Sequence, residues 1–110
     1  MRITFHQSSS GRSYIERFLN DLHTEDRAVV IAVFSDIREN GLSAIGCDFR
    51  QIESKLWEIK VRTAGGGYRF FYVMIGIDHM YVLHAYKKQG QKAPLNELAV
   101  ARKRLKEILK

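Results

Sequence analysis

The sequence is poor in cysteine: among its 110 residues Cys47 stands alone. One thiol cannot form a disulfide within the chain and is too few for a cysteine-based metal cluster. No metal-ligand spacing is present among the four histidines, which are His6, His23, His79 and His84. The sequence therefore predicts a protein that needs no metal and no cofactor, with Cys47 as a small, half-buried thiol.

Long apolar runs are also missing. None approaches the roughly 18 residues that span a bilayer, and the first residues, Met-Arg-Ile-Thr-Phe, do not resemble a signal peptide. We therefore expect a cytoplasmic protein. Hydrophobic residues make up 45% of the chain and charged residues 27%, which suffices for a folded core. A chain of this length and composition predicts a single domain over residues 1–110.

Acidic residues are scarce in the second half of the chain. Residues 1–54 carry six basic and eight acidic side chains, a net charge of −2, whereas residues 55–86 carry +2 and residues 87–110 carry +6. A segregated basic surface is expected of a protein that binds a polyanion. A solvated basic helix would give the same pattern, so charge alone leaves both explanations open.

Two helices are predicted in the first half. A capping box formed by Ser13 and Glu16 begins one near 13–23, and Thr24 caps a second near 25–40. Apolar residues at helical spacing should face the core. They are Ile15, Phe18, Leu19 and Leu22 in the first helix and Ile31, Phe34 and Ile37 in the second.

A sheet and a last helix are predicted around this pair. A short strand covers 2–6, the pattern is weak over 41–54, and the hydrophobic period then becomes two over 55–62, 68–75 and 80–87. Turns join these runs, which predicts an antiparallel sheet of at least three strands in an α+β domain. Pro94 begins a helix near 94–109, whose apolar face consists of Leu95, Leu98, Ala101, Leu105 and Ile108.

Basic and aromatic residues recur on the predicted strands. Lys60 and Arg62 share one strand face, and His84 shares a face with Tyr86. Arg69 interrupts an apolar strand, where an arginine must find a partner or reach the surface. Each of the other four also fits a structural role: solvent-facing positions paired with a neighbouring glutamate, a core aromatic, or a buried histidine.

Together these groups suit the cleavage of RNA without a metal ion. The ribose 2′-OH would attack the adjacent phosphate, while guanidinium and ammonium groups stabilise the charge that develops. Imidazole or phenol can transfer protons, and aromatic rings can stack on an unpaired base. The last strand leads into further cations, which are Lys87, Lys88 and Lys92.

Four motifs in roughly the last 55 residues resemble, in order and spacing, the RelE/HigB toxin superfamily, and most closely its phage-derived HigB-like branch. The motifs are LWEIKV (56–61), YRFFY (68–72), VLHAYKK (82–88) and QKAP (91–94). The first half is similar only as a strand followed by a helical hairpin. The resemblance implies a RelE-like fold, ribosome-dependent cleavage of messenger RNA, and a HigA-like helix-turn-helix antitoxin as partner.

The resemblance also implies roles for residues. Arg69 resembles the phosphate-binding arginine, and Lys60 and Arg62 resemble basic cleft residues. At the end of the last strand the family has catalytic or RNA-contacting residues, and the resemblance implies that their counterparts are His84, Tyr86, Lys87 and Lys88. The predicted catalytic set is therefore Arg69, His84, Tyr86 and Lys60, and the predicted RNA-binding set is Arg62, Lys87, Lys88 and Lys92.

Two other functions stay open at this point. One is a non-enzymatic inhibitor on the same scaffold, like the ParE toxins that act on DNA gyrase. The other is a phage nucleic-acid-binding protein without toxicity. A fold by itself does not choose among such activities, because function depends on the site that the fold presents.

Overall fold

A computed structural model describes residues 1–89 and 94–109 of the chain. Its order of elements is the predicted α+β arrangement: a strand, two helices, a run of strands and a last helix. The elements are β1 (Arg2–Phe5), α1 (Tyr14–Asn20), α2 (Thr24–Asn40), a 3-10 turn (Gly41–Ser43), β2 (Asp48–Glu53), β3 (Leu56–Thr63), β4 (Gly66–Met74), β5 (His79–Lys87) and α3 (Leu95–Ile108). No helix in the described ranges is both long and apolar enough to cross a membrane.

The five strands form one sheet in the order β1-β5-β4-β3-β2. Strands β2 to β5 form an antiparallel meander, which confirms the prediction for this part of the chain. Strand β1 instead pairs in parallel with β5, with Arg2 opposite His79, so the sheet is mixed. Local periodicity predicts that a strand exists but not its direction, because direction depends on how the intervening elements return the chain.

The sequence pattern does not predict strand β2, because its residues do not alternate cleanly. It is an edge strand in which only Phe49 and Ile52 are partly buried. The pairing register with β3 shifts between Gln51 and Glu53. A bulge of this kind interrupts the period of two by which a strand is recognised.

Helices pack on both faces of the sheet. Helices α1 and α2 pack on one face over a core rich in aromatic contacts; the rings of Phe34 and Phe70 meet edge to face at 5.0 Å. Helix α3 packs on the other face, over a smaller cluster that includes Leu56, Phe71 and Leu83. Residues that alternate along β3 and β4 therefore reach different cores.

Two predicted core positions are wrong. Ile31 is 51% exposed, because the buried stripe of α2 runs through Val30, Val33, Phe34 and Ile37. Leu95 is 75% exposed, because it lies in the first turn of α3, before the helix reaches the sheet. The rest of the predicted α3 face packs as expected on the smaller cluster, through Leu98, Ala101, Leu105 and Ile108.

A buried aspartate joins α2 to the β3–β4 hairpin. The Asp26 carboxylate, in the first turn of α2, accepts a hydrogen bond from the Tyr68 hydroxyl at 2.6 Å and one from the Gly65 backbone N–H at 3.3 Å. The hydrogen bond from Tyr68 lowers the pKa of Asp26, and burial raises the pKa of Tyr68 to about 12. The contact fixes the hairpin, and with it the register of β3 on β4.

We expect Gly65→Ala to weaken this contact. A Cβ atom at this position would lie 2.1 Å from Oδ2 of Asp26, so the carboxylate or the turn must move. The expected loss in the free energy of unfolding, measured by urea denaturation, is about 1–3 kcal/mol. Gly67→Ala is the matched control, because its Cβ would meet nothing within 4 Å. Equal stability of the two variants would contradict the proposed role of the contact.

Candidate functional site

The polar strand residues singled out from the sequence meet on the face that α3 covers. Lys60 of β3 pairs with Arg69 of β4, which pairs with Tyr86 of β5, so the three side chains form one row across the sheet. The neighbouring row contains Glu58, Phe71 and His84. Strand pairing thus brings together groups that lie up to 28 residues apart in the chain.

Two adjoining clefts open beside these rows. The first, here called the cationic groove, encloses about 490 Å³ and is lined by Lys60, Arg62, Thr63, Gly66, Arg69 and Lys88. The second, here called the α3 cleft, encloses about 450 Å³ between the sheet and the start of α3, with Ile52, Glu58, Phe71, Tyr86 and Leu98 in its lining. Arg69 and Lys88 line both clefts and can bind one ligand that extends across them.

A buried carboxylate, Glu58, lies between these groups. It is 2% exposed, and its Oε1 accepts a hydrogen bond from Arg69 Nη1 at 3.3 Å and pairs with Arg50 Nη2 at 3.4 Å. Its Oε2 accepts a hydrogen bond from the Tyr86 hydroxyl at 3.2 Å. Three strands thus supply partners for one charge whose burial without partners would be costly.

From the sequence alone, Glu58 is only a solvent-side partner for Lys60 and Arg62. The alternation that places those cations on one face places Glu58 there as well, so the sequence already indicated that Glu58 belongs to the same face. What the sequence does not show is which residues of β4 and β5 lie opposite. That register turns an ordinary strand glutamate into the shared partner of Arg69 and Tyr86.

Arg69 has both the partner and the access to the surface that an arginine in an apolar strand needs. Its side chain is 12% exposed, is paired with Glu58, and still lines both clefts. A guanidinium has five N–H donors, and the pair with Glu58 occupies only part of them. Arg69 can therefore hold an anionic ligand while it remains bound to the sheet.

Tyr86 presents a hydroxyl to the site and buries its ring. It is 8% exposed, and its ring stacks on Phe71 at 5.5 Å and lies 6.5 Å from the ring of His84. Burial is the main cause that raises the pKa of Tyr86 to about 12, and the nearby Glu58 carboxylate adds to it. The phenol is therefore protonated at neutral pH, and its packed ring is not a free surface on which an RNA base could stack.

His84 lies beside the site but is bound to α3. His84 pairs with Phe71 in regular register with Tyr86, so both lie on the face that α3 covers; the register then skips Leu83, which packs on the same face. Its Nε2 lies 2.5 Å from Glu97 Oε2, and its Nδ1 accepts from Arg104 Nη1 at 3.2 Å. Because arginine only donates, Nε2 carries the proton of the neutral ring. Burial lowers the pKa of His84, and neither cleft includes it.

The three predicted lysines differ in position. Lys88 lines both clefts. Lys87 pairs with Tyr68, and its Nζ lies 5.8 Å from that ring, so it belongs to the opposite face of the sheet. Lys92 lies outside the described residues. Within residues 1–89 and 94–109, no group of three or more His, Cys, Asp or Glu side chains could hold a metal ion.

We expect His84→Ala to loosen α3 at a cost of about 1–3 kcal/mol, because Glu97 and Arg104 lose a partly buried partner. Since burial lowers the pKa of His84, its stabilising effect is complete above the unfolded value near 6.5 and decreases as the pH falls toward the folded value. Hydrogen exchange of the α3 amides should show this decrease in the wild type and not in the variant, with the α2 amides as internal control. The same pH dependence in both proteins would refute this role.

One known protein family matches the part of the chain that contains most of these helices and strands. The family described as "Phage derived protein Gp49-like (DUF891)" matches residues 17–106, which include all the side chains of both clefts. No curated protein is significantly similar to the chain. Because the match spans more than half of the sequence, the chain belongs to the phage-derived Gp49-like family.

Proposed function

We propose that the protein is the toxin of a type II toxin–antitoxin system and cleaves messenger RNA on the ribosome without a metal ion. The observation that carries this proposal is the convergence of Lys60, Arg62, Arg69 and Lys88 on one groove. Membership of the Gp49-like family and the α+β arrangement agree with it. The motif resemblance to the RelE/ParE superfamily, and to its HigB-like branch, suggests the same activity.

The groove suits a phosphodiester. In the proposed reaction the 2′-oxygen attacks the adjacent phosphorus, the 5′-oxygen leaves, and a 2′,3′-cyclic phosphate forms. Arg69 and Lys60, neighbours in one row, would stabilise the extra negative charge of the phosphorane. Arg62 and Lys88 would hold the flanking phosphates. His84 would act by keeping α3 beside the cleft.

A single 2′-deoxynucleotide should stop this reaction. We expect cleavage of an end-labelled messenger in purified ribosome complexes to persist in EDTA, at concentrations that leave the ribosome intact. Cleavage should stop when the ribose 5′ of the scissile phosphate lacks its 2′-OH, because the nucleophile is then missing. Arg69→Ala should slow cleavage about a hundredfold or more, since it removes one charge-stabilising contact.

The matched control is Arg102→Ala. Arg102 is an exposed arginine of α3 whose partner is Glu53, at 2.6 Å, and it lines neither cleft. The variant should cleave at the wild-type rate. Continued cleavage of the deoxy-substituted messenger would rule out this chemistry. Growth arrest without any RNA cleavage would instead support an inhibitor of the ParE type.

A partner that neutralises the toxin follows from the same proposal. We expect a HigA-like helix-turn-helix antitoxin, more acidic than the toxin, in the same cytoplasm. Helix α3 offers it exposed cations at Lys103 and Lys106. A basic helix of this kind accelerates association with an acidic protein through long-range attraction.

The association rate of toxin and antitoxin should therefore fall as salt concentration rises. Replacing both Lys103 and Lys106 by alanine should lower it further, by up to about tenfold at low salt. Lys55→Ala, at an exposed lysine between β2 and β3, is the control that removes charge elsewhere. A rate that does not depend on salt would mean that the interface is apolar and lies on another surface, such as the helical hairpin.

A further inference from the structure

The position of Glu58, in the α3 cleft beside a groove proposed to bind phosphate, is unexpected. A carboxylate next to Arg69 and Lys88 weakens the attraction of these cations for RNA. Holding Arg69 in place requires only one carboxylate oxygen, Oε1. The other oxygen, Oε2, accepts the hydroxyl of Tyr86, which has no part in binding Arg69. Phosphate binding and arginine positioning therefore leave the contact between Glu58 and Tyr86 unexplained.

This contact sets the direction of the Tyr86 proton. An ionised carboxylate only accepts hydrogen bonds, so the phenolic hydrogen points toward Glu58. The lone pairs of the Tyr86 oxygen are then available to accept a hydrogen bond from a group in the α3 cleft, which Tyr86 lines. No other hydrogen bond to this oxygen occurs in the described part of the chain.

Tyr86 is unsuited to remove a proton alone. With its pKa raised to about 12, the phenol holds its hydrogen at neutral pH and can accept a second proton only by releasing the first. Glu58 lies where that first proton would go, 3.2 Å away. A general base must lie within hydrogen-bond reach of the proton it takes, directly or through one water, and here the Tyr86 hydroxyl would take the place of that water.

We propose that Glu58 is the proton acceptor for the RNA cleavage suggested above, acting through Tyr86; the inference rests on that function. The 2′-OH of the substrate donates its proton to the Tyr86 oxygen while Tyr86 passes its own phenolic proton to Glu58. The 2′-oxygen forms a bond to phosphorus and the bond to the 5′-oxygen breaks. The ammonium of Lys60 supplies the proton that the leaving 5′-oxygen takes. Glu58 ends protonated and Tyr86 unchanged.

Glu58 is paired with Arg50 and Arg69, and the pair with Arg69 links this transfer to the charge on the phosphorane. Before reaction, the Glu58 carboxylate offsets part of the charge of Arg69, to which it is paired. Once Glu58 has received the proton it is neutral, and the full charge of Arg69 acts on the phosphorane as its negative charge develops. Proton transfer and phosphorane stabilisation are thereby linked through one side chain, which a carboxylate placed elsewhere would not achieve.

Glu58→Gln tests the proposal, because glutamine keeps the size of glutamate and can accept a hydrogen bond from Tyr86 but cannot accept a proton. In ribosome complexes with an end-labelled messenger, the single-turnover cleavage rate should fall about 10²–10⁴-fold. The affinity for complexes with the 2′-deoxy messenger should stay within a few-fold of the wild type. Tyr86→Phe should have a similar effect, and the double variant should be no slower than the slower single variant.

The conservative variant separates a proton acceptor from a structural residue. Glu58→Asp keeps a carboxylate but shortens the side chain, so it should cleave faster than Glu58→Gln, which keeps the size of the side chain but cannot accept a proton. Glu53→Gln is the control, because Glu53 is an exposed glutamate of β2 that pairs with Arg102. It should keep the wild-type rate. If Glu58→Gln does not fold, Glu58→Asp should still cleave the messenger, at a rate below that of the wild type.

Three results would overturn the inference. They are wild-type cleavage by Glu58→Gln, a loss explained wholly by weaker binding, and additive losses in the double variant. In each of these the wild type still cleaves the messenger, so the proposed function stands while the role of Glu58 fails. If the wild type cleaves no messenger at all, the proposed function fails and the inference fails with it.

Discussion

The antiparallel register of β3, β4 and β5 is the constraint on which the candidate site depends. It places Lys60, Arg69 and Tyr86 in one row and Glu58 in the next. Because side chains alternate between the faces of a sheet, a shift of one residue would send the polar set of a strand into the aromatic core under α1 and α2. The contact of Asp26 with the β3–β4 turn therefore affects the site although it lies on the opposite side of the sheet.

Helix α3 determines how much of this face remains accessible. It covers the cluster around Phe71 and Leu83 and is attached at its sides through Arg102 to Glu53 and through His84 to Glu97. The polar end of the sheet face is left uncovered, and both clefts open there. His84 lies on this face as well, but its ring is bound to Glu97 and Arg104 of α3.

Local patterns are sufficient for most of the fold. Capping residues and helical spacing predict α1, α2 and α3 to within a few residues, and alternation predicts β3, β4 and β5. They fail at β2, where a bulge breaks the alternation, and at Ile31, because the stripe that contains Phe34 and Ile37 continues through Val30 and Val33. They also give no direction for β1, because no local interaction of residues 2–5 depends on it.

For the site, the sequence by itself determined which chemical groups are present and on which strand face each cation lies. Alternation is a property of one strand, so it places Lys60 and Arg62 together without any contact from elsewhere in the chain. Only the tertiary structure decided which groups on different strands are neighbours. It paired Arg69 and Tyr86 with Glu58 and bound His84 to α3. Register, bulges and helix packing fix these distances, and they arise from contacts between residues far apart in the chain.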